Sequence, residues 1–470
     1  MWMAEGFIEN IRGLTPEVAD GYLEELIRRS MLQVVQVGSY GLSGNCKMHD
    51  MLREIALSKS EEEKFCTDGR IGASREVGVI RRLSVQGSRA EIIPWEGMTQ
   101  LRSFLFFRSG TIDSTMINKL VSGFKLLRVL DLRGAPIETF PDHIVTLFNL
   151  RYLDLKRTRI KKLPGSIGRL YNLETLNLHW SQVESLPNGI VKLENLRYLL
   201  SDQVKGEMYA DFNCLIGARF PPKLNTLKYL QVLGLVEANS TVVKEIRSMT
   251  QLVRLYITNI EGSHEEDLCF AIQNMRLLRR LFFKAAKEDG ILCLEALKSP
   301  PPFLEKLFLF GKLKNIPQWF KTLQNLGHLG LYWSRMTNDP LSHLEARPNL
   351  RSLYLVKAYE GLRLEFKKGF HSLEILWISD CNNLQSIRIH KGVMPGPKKL
   401  HIESCRMLTE VPSGIKCLTK LQELELVNLS AELIKRIEEP SGVDRPNVHH
   451  IPKITYYNKT SSGGWSIRNL

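Results

Sequence analysis

Three stretches of the chain share one frame: "LLRVLDLRGAPIETFP" (126–141), "NLRYLDLKRTRIKKLP" (149–164) and "NLETLNLHWSQVESLP" (172–187). Each reads L-x-x-L-x-L, continues through a polar or small turn, and ends in Leu-Pro or Phe-Pro, with a spacing of 23 residues. The fourth and sixth positions alternate as in a β-strand and point inward, while the residues between them face the opposite side. Because one such segment cannot bury its own leucines, the pattern predicts stacked repeats that share a continuous core.

The same frame recurs along most of the chain. Its first apolar position falls at Ile80, Leu101, Leu127, Leu150, Leu173, Leu196, Leu230, Leu252, Leu278, Leu304, Leu326, Leu350, Leu373, Pro397 and Leu421. Periods of about 20 to 29 residues are typical of leucine-rich repeats. The sequence therefore predicts an α/β fold, a leucine-rich-repeat solenoid of about 14 repeats with a parallel inner sheet, over residues 80–440. The longest step holds "SDQVKGEMYADFNCLIGARFPP" (201–222), an insertion that we expect to bulge from the surface.

Composition narrows the class of protein. The 470 residues are 43% hydrophobic and carry a net charge of +14, yet contain no run of about 18 apolar residues and no basic leader, so we expect neither a membrane span nor secretion. Basic residues are scattered through the repeats, which argues against a nucleic-acid partner. Eight cysteines without a CxxC pair indicate reduced thiols and a cytoplasmic location. Cys381 and Cys405 occupy equivalent repeat positions, where we expect packing rather than metal or redox chemistry.

The residues between the inward leucines predict a concave recognition surface for a macromolecule. Trp, Tyr and Arg most often dominate protein-binding energy. The candidates are Tyr152, Lys156, Arg157, His179, Trp180, Arg254, Tyr256, Lys306, Tyr332, Trp333, Tyr354, Trp377 and His401. For each of them, an ordinary solvated or mutually packed surface residue remains the alternative.

The first seventy residues follow another pattern. "PEVADGYLEELIRRSMLQVV" (16–35) predicts an amphipathic helix, "LQVVQVGSYGLSGNCKMH" (32–49) a β-hairpin, and "DMLREIALSKSEEEKF" (50–65) a helix with Asp50 as its N-cap. This outline predicts a partial winged-helix domain over residues 1–70, with a linker at 71–79. Residues 441–470 form a tail without the repeat frame, in which we expect a last strand or a cap around "HHIPKITYY" (449–457), followed by a mobile Gly/Ser stretch.

Four segments carry a family resemblance: "MWMAEGFIE" (1–9), "YLEELIRRSMLQ" (22–33), "KMHDMLREIAL" (47–57) and "VIRRLSVQ" (79–86). With the repeats, they closely resemble plant intracellular nucleotide-binding leucine-rich-repeat disease resistance proteins of the coiled-coil type. The resemblance implies an innate immune receptor whose repeats recognise a pathogen effector or a guarded host protein and restrain a nucleotide switch. Met48, His49 and Asp50 match the family's Met-His-Asp motif, which implies a histidine facing ADP phosphates and an aspartate that fixes the arrangement of the domains.

The sequence departs from that family in one respect. No G-x-x-x-x-G-K-[ST] occurs, so the P-loop that holds the phosphates of ADP or ATP is absent from these residues. We therefore expect an amino-terminally truncated receptor that binds no nucleotide tightly alone and depends on a nucleotide-binding domain, intramolecular or in trans. A peripheral plasma-membrane or nuclear location stays open beside the cytoplasm.

Two other classes of function remain as alternatives. The repeats could belong to an adaptor such as a ubiquitin-ligase substrate receptor, although nothing amino-terminal resembles a ligase-docking module. An enzyme is the third class, and neither G-x-S-x-G nor H-E-x-x-H occurs. We expect no catalytic activity.

Overall fold

The computed structural model describes residues 1–8, 15–36, 45–63, 65–66, 80–86, 98–107, 117–118, 121–205, 211–438, 442–459 and 464–470. They form two compact units, the first of Met1–Met208 with Asn213–Glu237 and the second of Tyr209–Phe212 with Ala238–Leu470. The predicted linker (71–79) lies outside the described residues, as does most of the predicted Gly/Ser stretch (460–463).

The first unit begins with three helices and a hairpin, of which the second and third helices and the hairpin were predicted. The helices are Trp2–Glu5, Thr15–Arg28 and Asp50–Glu62, and the strands Leu32–Gln36 and Asn45–Met48 pair antiparallel. The prediction of Asp50 as an N-cap is wrong. His49 has the extended backbone of the N-cap (φ −61°, ψ 142°), and Asp50 is the first helical residue. There its carboxylate lies in the first turn, where the helix dipole favours an acidic group.

Short parallel strands form the repeats of the first unit. They are Arg82–Gln86, Ser103–Phe107, Val129–Asp131, Tyr152–Asp154, Thr175–Asn177, Tyr198–Leu200 and Val232–Glu237. Pro141, Pro164 and Pro187 each stand immediately before a 3₁₀ helix: Asp142–Thr146, Gly165–Arg169 and Asn188–Lys192. A proline suits this place because its fixed φ fits the start of a helical turn and its missing N–H is not needed there.

In its described residues (201–205 and 211–222), the insertion after Leu196 packs into the fold and does not bulge from the surface as predicted. Its strand Asp202–Val204 pairs antiparallel with Leu215–Gly217. Cys214, Leu215 and Ala218 are buried. Apolar residues in its second half draw it into the core of the first unit, because burying that surface is favourable.

The second unit has nine parallel strands among its described residues. They are Arg254–Ile260, Arg280–Ala285, Lys306–Phe310, His328–Tyr332, Ser352–Val356, Ile375–Ser379, Lys399–Glu403, Glu423–Val427 and Lys453–Lys459, and Trp465–Asn469 pairs antiparallel with the last. A separate parallel pair is Arg363–Phe366 with Ser386–Ile389. The α-helices are Ser240–Ile246, Glu265–Gln273, Leu341–Leu344, Ala431–Ile437 and Arg445–Val448.

The strand positions confirm the repeat frame. Each position that marks the frame lies two residues before a strand, as Leu127 precedes Val129 and Leu373 precedes Ile375. The last strand predicted in the tail is also confirmed, but it belongs to the repeats: Lys453–Lys459 pairs parallel with Glu423–Val427. The sheet therefore extends beyond the predicted boundary at residue 440. Cys381 and Cys405 are buried free thiols, as the packing interpretation predicted.

Candidate recognition surfaces and switch motif

The Met-His-Asp motif lies where the hairpin meets the third helix. Met48 ends a strand, and His49 and Asp50 are exposed, with an Nη atom of Arg53 3.7 Å from an Asp50 carboxylate oxygen. The helix that follows has no buried side chain. The motif thus presents an imidazole and a carboxylate together at an exposed junction.

A carboxylate network occupies the concave strands of the first unit. The Tyr152 hydroxyl donates to Asp154 Oδ2 (2.9 Å), as do Arg133 (3.2 Å) and the Asn177 amide (2.9 Å). Arg133 also donates to Asp131 Oδ2 at 3.0 Å. Burial, reinforced by the neighbouring Asp154, raises the pKa of Asp131 to about 6. Two buried carboxylates are thus held together by one arginine and neutral donors.

The first helix covers part of this concave face. Ala4 packs against Val129 and Tyr152, and the Glu5 carboxylate lies 3.1 Å from Nε of Arg82 in a largely buried ion pair. The Arg82 guanidinium also lies over the Phe7 ring, with 4.9 Å between Cζ and the ring centroid. Tyr152, a predicted contact residue, is therefore only 9% exposed.

Arg157 and Trp180 lie in turns rather than in the strands where we placed them. Each follows its strand with a left-handed backbone, φ 58° for Arg157 and 61° for Trp180. The Arg157 guanidinium carbon lies 4.3 Å from the Trp180 ring centroid, and the His179 ring stacks on the Trp180 ring at 4.8 Å. His179 in turn pairs with the Asp202 carboxylate. Lys156 lies in the same group, 5.3 Å from the Trp180 ring centroid.

An aromatic chain runs across the concave strands of the second unit. The rings of Tyr256 and Phe282 meet edge to face at 6.1 Å, those of Phe282 and Phe310 lie 4.9 Å apart, and Phe310 stacks on Tyr332 at 4.1 Å. Trp333 lies 5.9 Å from Phe310. Rings at these separations attract one another through their quadrupoles in addition to burying apolar surface.

Tyr332 and Trp333 are fully buried, so their predicted role as accessible recognition residues is wrong. The Phe212 ring, which belongs to the second unit, meets Trp333 edge to face at 5.5 Å, and Lys284 Nζ lies 4.2 Å from the Phe212 centroid. Lys357 Nζ lies 5.0 Å from the Trp333 ring. The repeat frame places these residues correctly along the chain, but it contains no information about a segment that covers them.

Tyr354 and Trp377 form the half-buried part of the aromatic surface. Their ring centroids are 6.2 Å apart, and Trp377 stacks on His401 at 3.4 Å. His401 is itself buried, and its ring nitrogens pair with Glu425 (2.9 Å) and Glu403 (3.3 Å). Burial alone would raise the pKa of Glu425, but His401 and Lys399 outweigh it and lower that pKa to about 2.

Three cationic side chains and one histidine lie on the strands that precede this aromatic pair. Arg254, Arg280, Lys306 and His328 occupy one register position on four adjacent strands. Burial and the nearby cations lower the pKa of Lys306 to about 8 and that of His328 to about 4. The concave face of the second unit therefore changes from cationic, through aromatic, to an ion-pair network in which Glu423 and Glu425 pair with Lys399 and Glu423 also pairs with Lys453.

The repeat frame could also have identified concave residues that were not predicted. Phe282 and Phe308 share the frame position of Tyr354 and Trp377, and Asp131 and Asp154 share it in the first unit. No local pattern indicated Phe212, whose role depends on contact with a distant repeat.

Two protein-family models match parts of this chain. A leucine-rich repeat region matches residues 100–424, and a disease resistance protein winged helix domain matches residues 1–56. The chain belongs to the leucine-rich-repeat disease resistance proteins.

Relatives in Arabidopsis thaliana align with nearly all of this disease resistance protein. Disease resistance protein RPM1 is 43% identical over 99% of the chain and 50% of its own length, and disease resistance protein RPP8 is 30% identical over 97% of the chain and 50% of its own length. The chain thus spans about half the length of the curated relatives it matches. The adaptor alternative is not favoured by these relatives.

Among solved structures, a leucine-rich-repeat protein of Leptospira interrogans matches with a TM-score of 0.48 at 18% identity, covering 80% of this chain and 89% of its own. Across the described residues, no helix combines the length and hydropathy that crossing a bilayer requires.

Proposed function

We propose that residues 1–470 form the recognition and restraint region of a plant innate immune receptor, acting in the cytoplasm on a pathogen effector or a guarded host protein and without catalytic activity of its own. The observation that carries the proposal is the graded concave face of the second unit. Tyr354 and Trp377 are half-buried between a cationic end and an ion-pair network of Glu423, Glu425 and Lys399. Amphipathic aromatic residues supply much of the binding energy of protein interfaces, and complementary charge fixes the register of a partner.

The covered concave face of the first unit supports the restraint half of the proposal. The helix Trp2–Glu5 lies against the repeats through Ala4 and the Glu5–Arg82 ion pair. Removing one partner of a buried ion pair is strongly destabilising, because the other charge is left buried and unpaired. This contact would therefore hold the beginning of the winged-helix module against the repeats.

The exposed junction at His49 suits a nucleotide switch. An imidazole N–H can donate to a phosphate oxygen, and the bond strengthens when the ring is protonated. Met51, Ile55 and Leu57 on the following helix are more than half exposed, an apolar surface that a nucleotide-binding domain holding ADP or ATP would cover. We infer that this domain is the partner of the winged-helix module, within one polypeptide or in trans.

A chimeric receptor tests the restraint proposal. Residues 1–470 would replace the aligned half of the 43% identical Arabidopsis relative, and ion leakage from leaves would report cell death. We expect the chimera to cause no cell death without an effector. Either Arg82→Glu or Glu5→Arg should cause autoactivity, and the charge-swapped double variant should again cause no cell death. An adaptor would show no such dependence, and a double variant as active as the singles would contradict the ion-pair explanation.

The same chimera tests recognition and the switch. Pathogen effectors are expressed one at a time, and any response is measured again with Trp377→Ala and with Tyr229→Ala, a matched control at an exposed aromatic residue of the first unit. Loss of response with the first variant alone supports recognition at the graded face, whereas equal responses would place it elsewhere. His49→Ala should cause autoactivity or faster ADP release, and no change would leave His49 only as the residue that joins the hairpin to the helix.

A further inference from the structure

A cavity of about 670 Å³ opens within the first unit, and no function above uses it. Its walls are the turns that follow the strands Tyr152–Asp154 and Thr175–Asn177, together with the hairpin strand Asp202–Val204. Six cationic side chains line it: Arg157, Arg159, Lys161, Lys162, Lys205 and Arg219. Among its described lining residues, only Glu184 carries a carboxylate.

Glu184 neutralises little of this charge. Its oxygens lie 3.8 Å from Lys205 Nζ and 3.9 Å from an Arg219 nitrogen, with all three side chains more than 60% exposed. Such exposed pairs contribute little. Lys161 and Lys162 form no salt bridge with a described residue. Positive charge lining a concave wall concentrates the field inside it and attracts anions.

The backbone holds the cavity wall in place. The Arg157 amide donates to the His179 carbonyl at 3.0 Å, and the Trp180 amide donates to the Asp202 carbonyl at 2.7 Å. These bonds join successive turns of the repeats and fix the left-handed backbone at Arg157 and Trp180. A wall that is ordered before a ligand arrives reduces the entropy that binding costs.

Two of the lining residues carry a buried neutral donor that has no partner among the described residues. Gln203 lines the cavity, is only 5% exposed, and its Nε2 has no hydrogen-bond partner among the described residues. The indole N–H of Trp180, another lining residue, is also buried without a partner there. A buried donor left unsatisfied is costly, so both groups favour an acceptor in this wall.

The surrounding groups define the ligand chemistry. The Trp180 ring already has Arg157 and His179 against it, which leaves it poorly placed to stack on a nucleotide base. The Asp202 carboxylate pairs with His179 and does not line the cavity. Arginine forks match phosphate oxygens, and lysines add point charges. We propose that this cavity binds a compact polyanion bearing at least two phosphate groups, either free in solution or as the headgroup of a lipid.

Titration calorimetry of the whole chain with inorganic phosphate, pyrophosphate and tripolyphosphate tests the proposal at physiological ionic strength. Affinity should rise along that series. The double variant Lys161→Glu/Lys162→Glu should weaken tripolyphosphate binding about tenfold or more, since charge-assisted contacts are the strong ones. The control double variant Lys192→Glu/Lys228→Glu makes the same charge change at two exposed lysines of the first unit outside the cavity, and it should leave the affinity within about twofold.

Gln203→Leu separates a built site from a diffuse basic surface, because it removes the donor and keeps the charge. We expect a loss of about threefold to tenfold in affinity without a lower melting temperature, because the free protein loses an unsatisfied buried donor. Equal weakening by both lysine pairs, or no binding of tripolyphosphate, would overturn the proposal. Binding of phosphopeptides without binding of tripolyphosphate would also overturn the proposal. Flotation with phosphatidylcholine vesicles containing phosphatidylinositol bisphosphate then distinguishes the sources: co-flotation that Lys161→Glu/Lys162→Glu abolishes indicates a lipid headgroup, and its absence beside tripolyphosphate binding indicates a soluble ligand.

Discussion

The two units share one repeat frame and fill its fifth position differently. In the first unit that position holds Asp131, Asp154 and Asn177 at the ends of three-residue strands. In the second it holds Phe308, Gly330, Tyr354 and Trp377 within five-residue strands. The inward leucines are buried in both, so they explain the strand and not the surface. Variable positions decide whether a concave face becomes a polar network under a helix or an aromatic surface beside charges.

Because the two concave faces differ, we expect different substitutions to change the stability of each unit. The first unit depends on how two close carboxylates are neutralised, whereas the second depends on how its rings pack. Variants at the buried carboxylate or at the packed rings should therefore affect one kind of face and spare the other.

The largest effect is expected at Trp333. Its indole is fully buried against Phe310 and Phe212, so Trp333→Ala should lower the free energy of unfolding by about 3–5 kcal/mol. The half-buried Trp377 is the matched residue, and Trp377→Ala should cost only about 1–1.5 kcal/mol. Urea unfolding followed by circular dichroism measures both. Equal losses would mean that Trp333 is not covered in solution.

A somewhat smaller effect is expected where the aromatic chain crosses a glycine. A Cβ added at Gly330 would lie 2.4 Å from Tyr332 Cε2 and 2.6 Å from Phe308 Cδ1, so the rings occupy the space that a side chain needs. Gly330→Ala should therefore cost about 1–3 kcal/mol through overpacking.

Gly327 supplies the control for this change. A Cβ there has its nearest neighbours at 3.7 and 3.8 Å, which is ordinary contact, so Gly327→Ala should leave the urea midpoint almost unchanged. If both glycines tolerate alanine, the two rings do not close over Gly330.

Much of this architecture was predictable because the repeat imposes one strong periodic constraint. The frame predicted the start of each strand it marks, and the tail strand at Lys453–Lys459 carries the same frame from Ile451. Residues such as Phe282 and Asp154 were also within reach, since their frame position alone assigns them to the concave face.

What the frame could not predict depends on contacts between distant residues. Burial of Trp333 by Phe212 and coverage of Tyr152 by the first helix require segments far apart in the chain. The left-handed backbone at Arg157 and Trp180 lies beyond the strand, where the L-x-x-L-x-L pattern has ended. The cavity beside them has no sequence motif, because its cations come from one repeat turn and from a hairpin more than 40 residues further along the chain.

The smallest expected effect is the change of folding stability with pH. Its sign should be opposite in the two units. In the first unit the pKa of Asp131 is raised from 3.8 to about 6, so the folded state binds a proton more tightly than the unfolded state. Its contribution to stability should increase as the pH falls through 6 and be complete below 3.8. In the second unit the pKa of His328 is lowered from 6.5 to about 4, so the folded state resists protonation. Its contribution is present above 6.5 and is lost as the pH falls towards 4.

Asp131→Asn and His328→Gln isolate these opposite contributions. Relative to the unaltered chain, the first variant should lose stability between neutral pH and pH 4 and the second should gain it, each by about 1–2 kcal/mol after discounting for partial solvent screening. Urea midpoints measured across that range for all three proteins provide the test, because each difference between variant and parent cancels the titration of every other group. If the urea midpoints of both variants changed with pH in parallel with those of the unaltered chain, Asp131 and His328 would have ordinary pKa values in the folded protein. Differences of opposite slope would establish that one repeat frame supports a face stabilised by uptake of a proton and another stabilised by its exclusion.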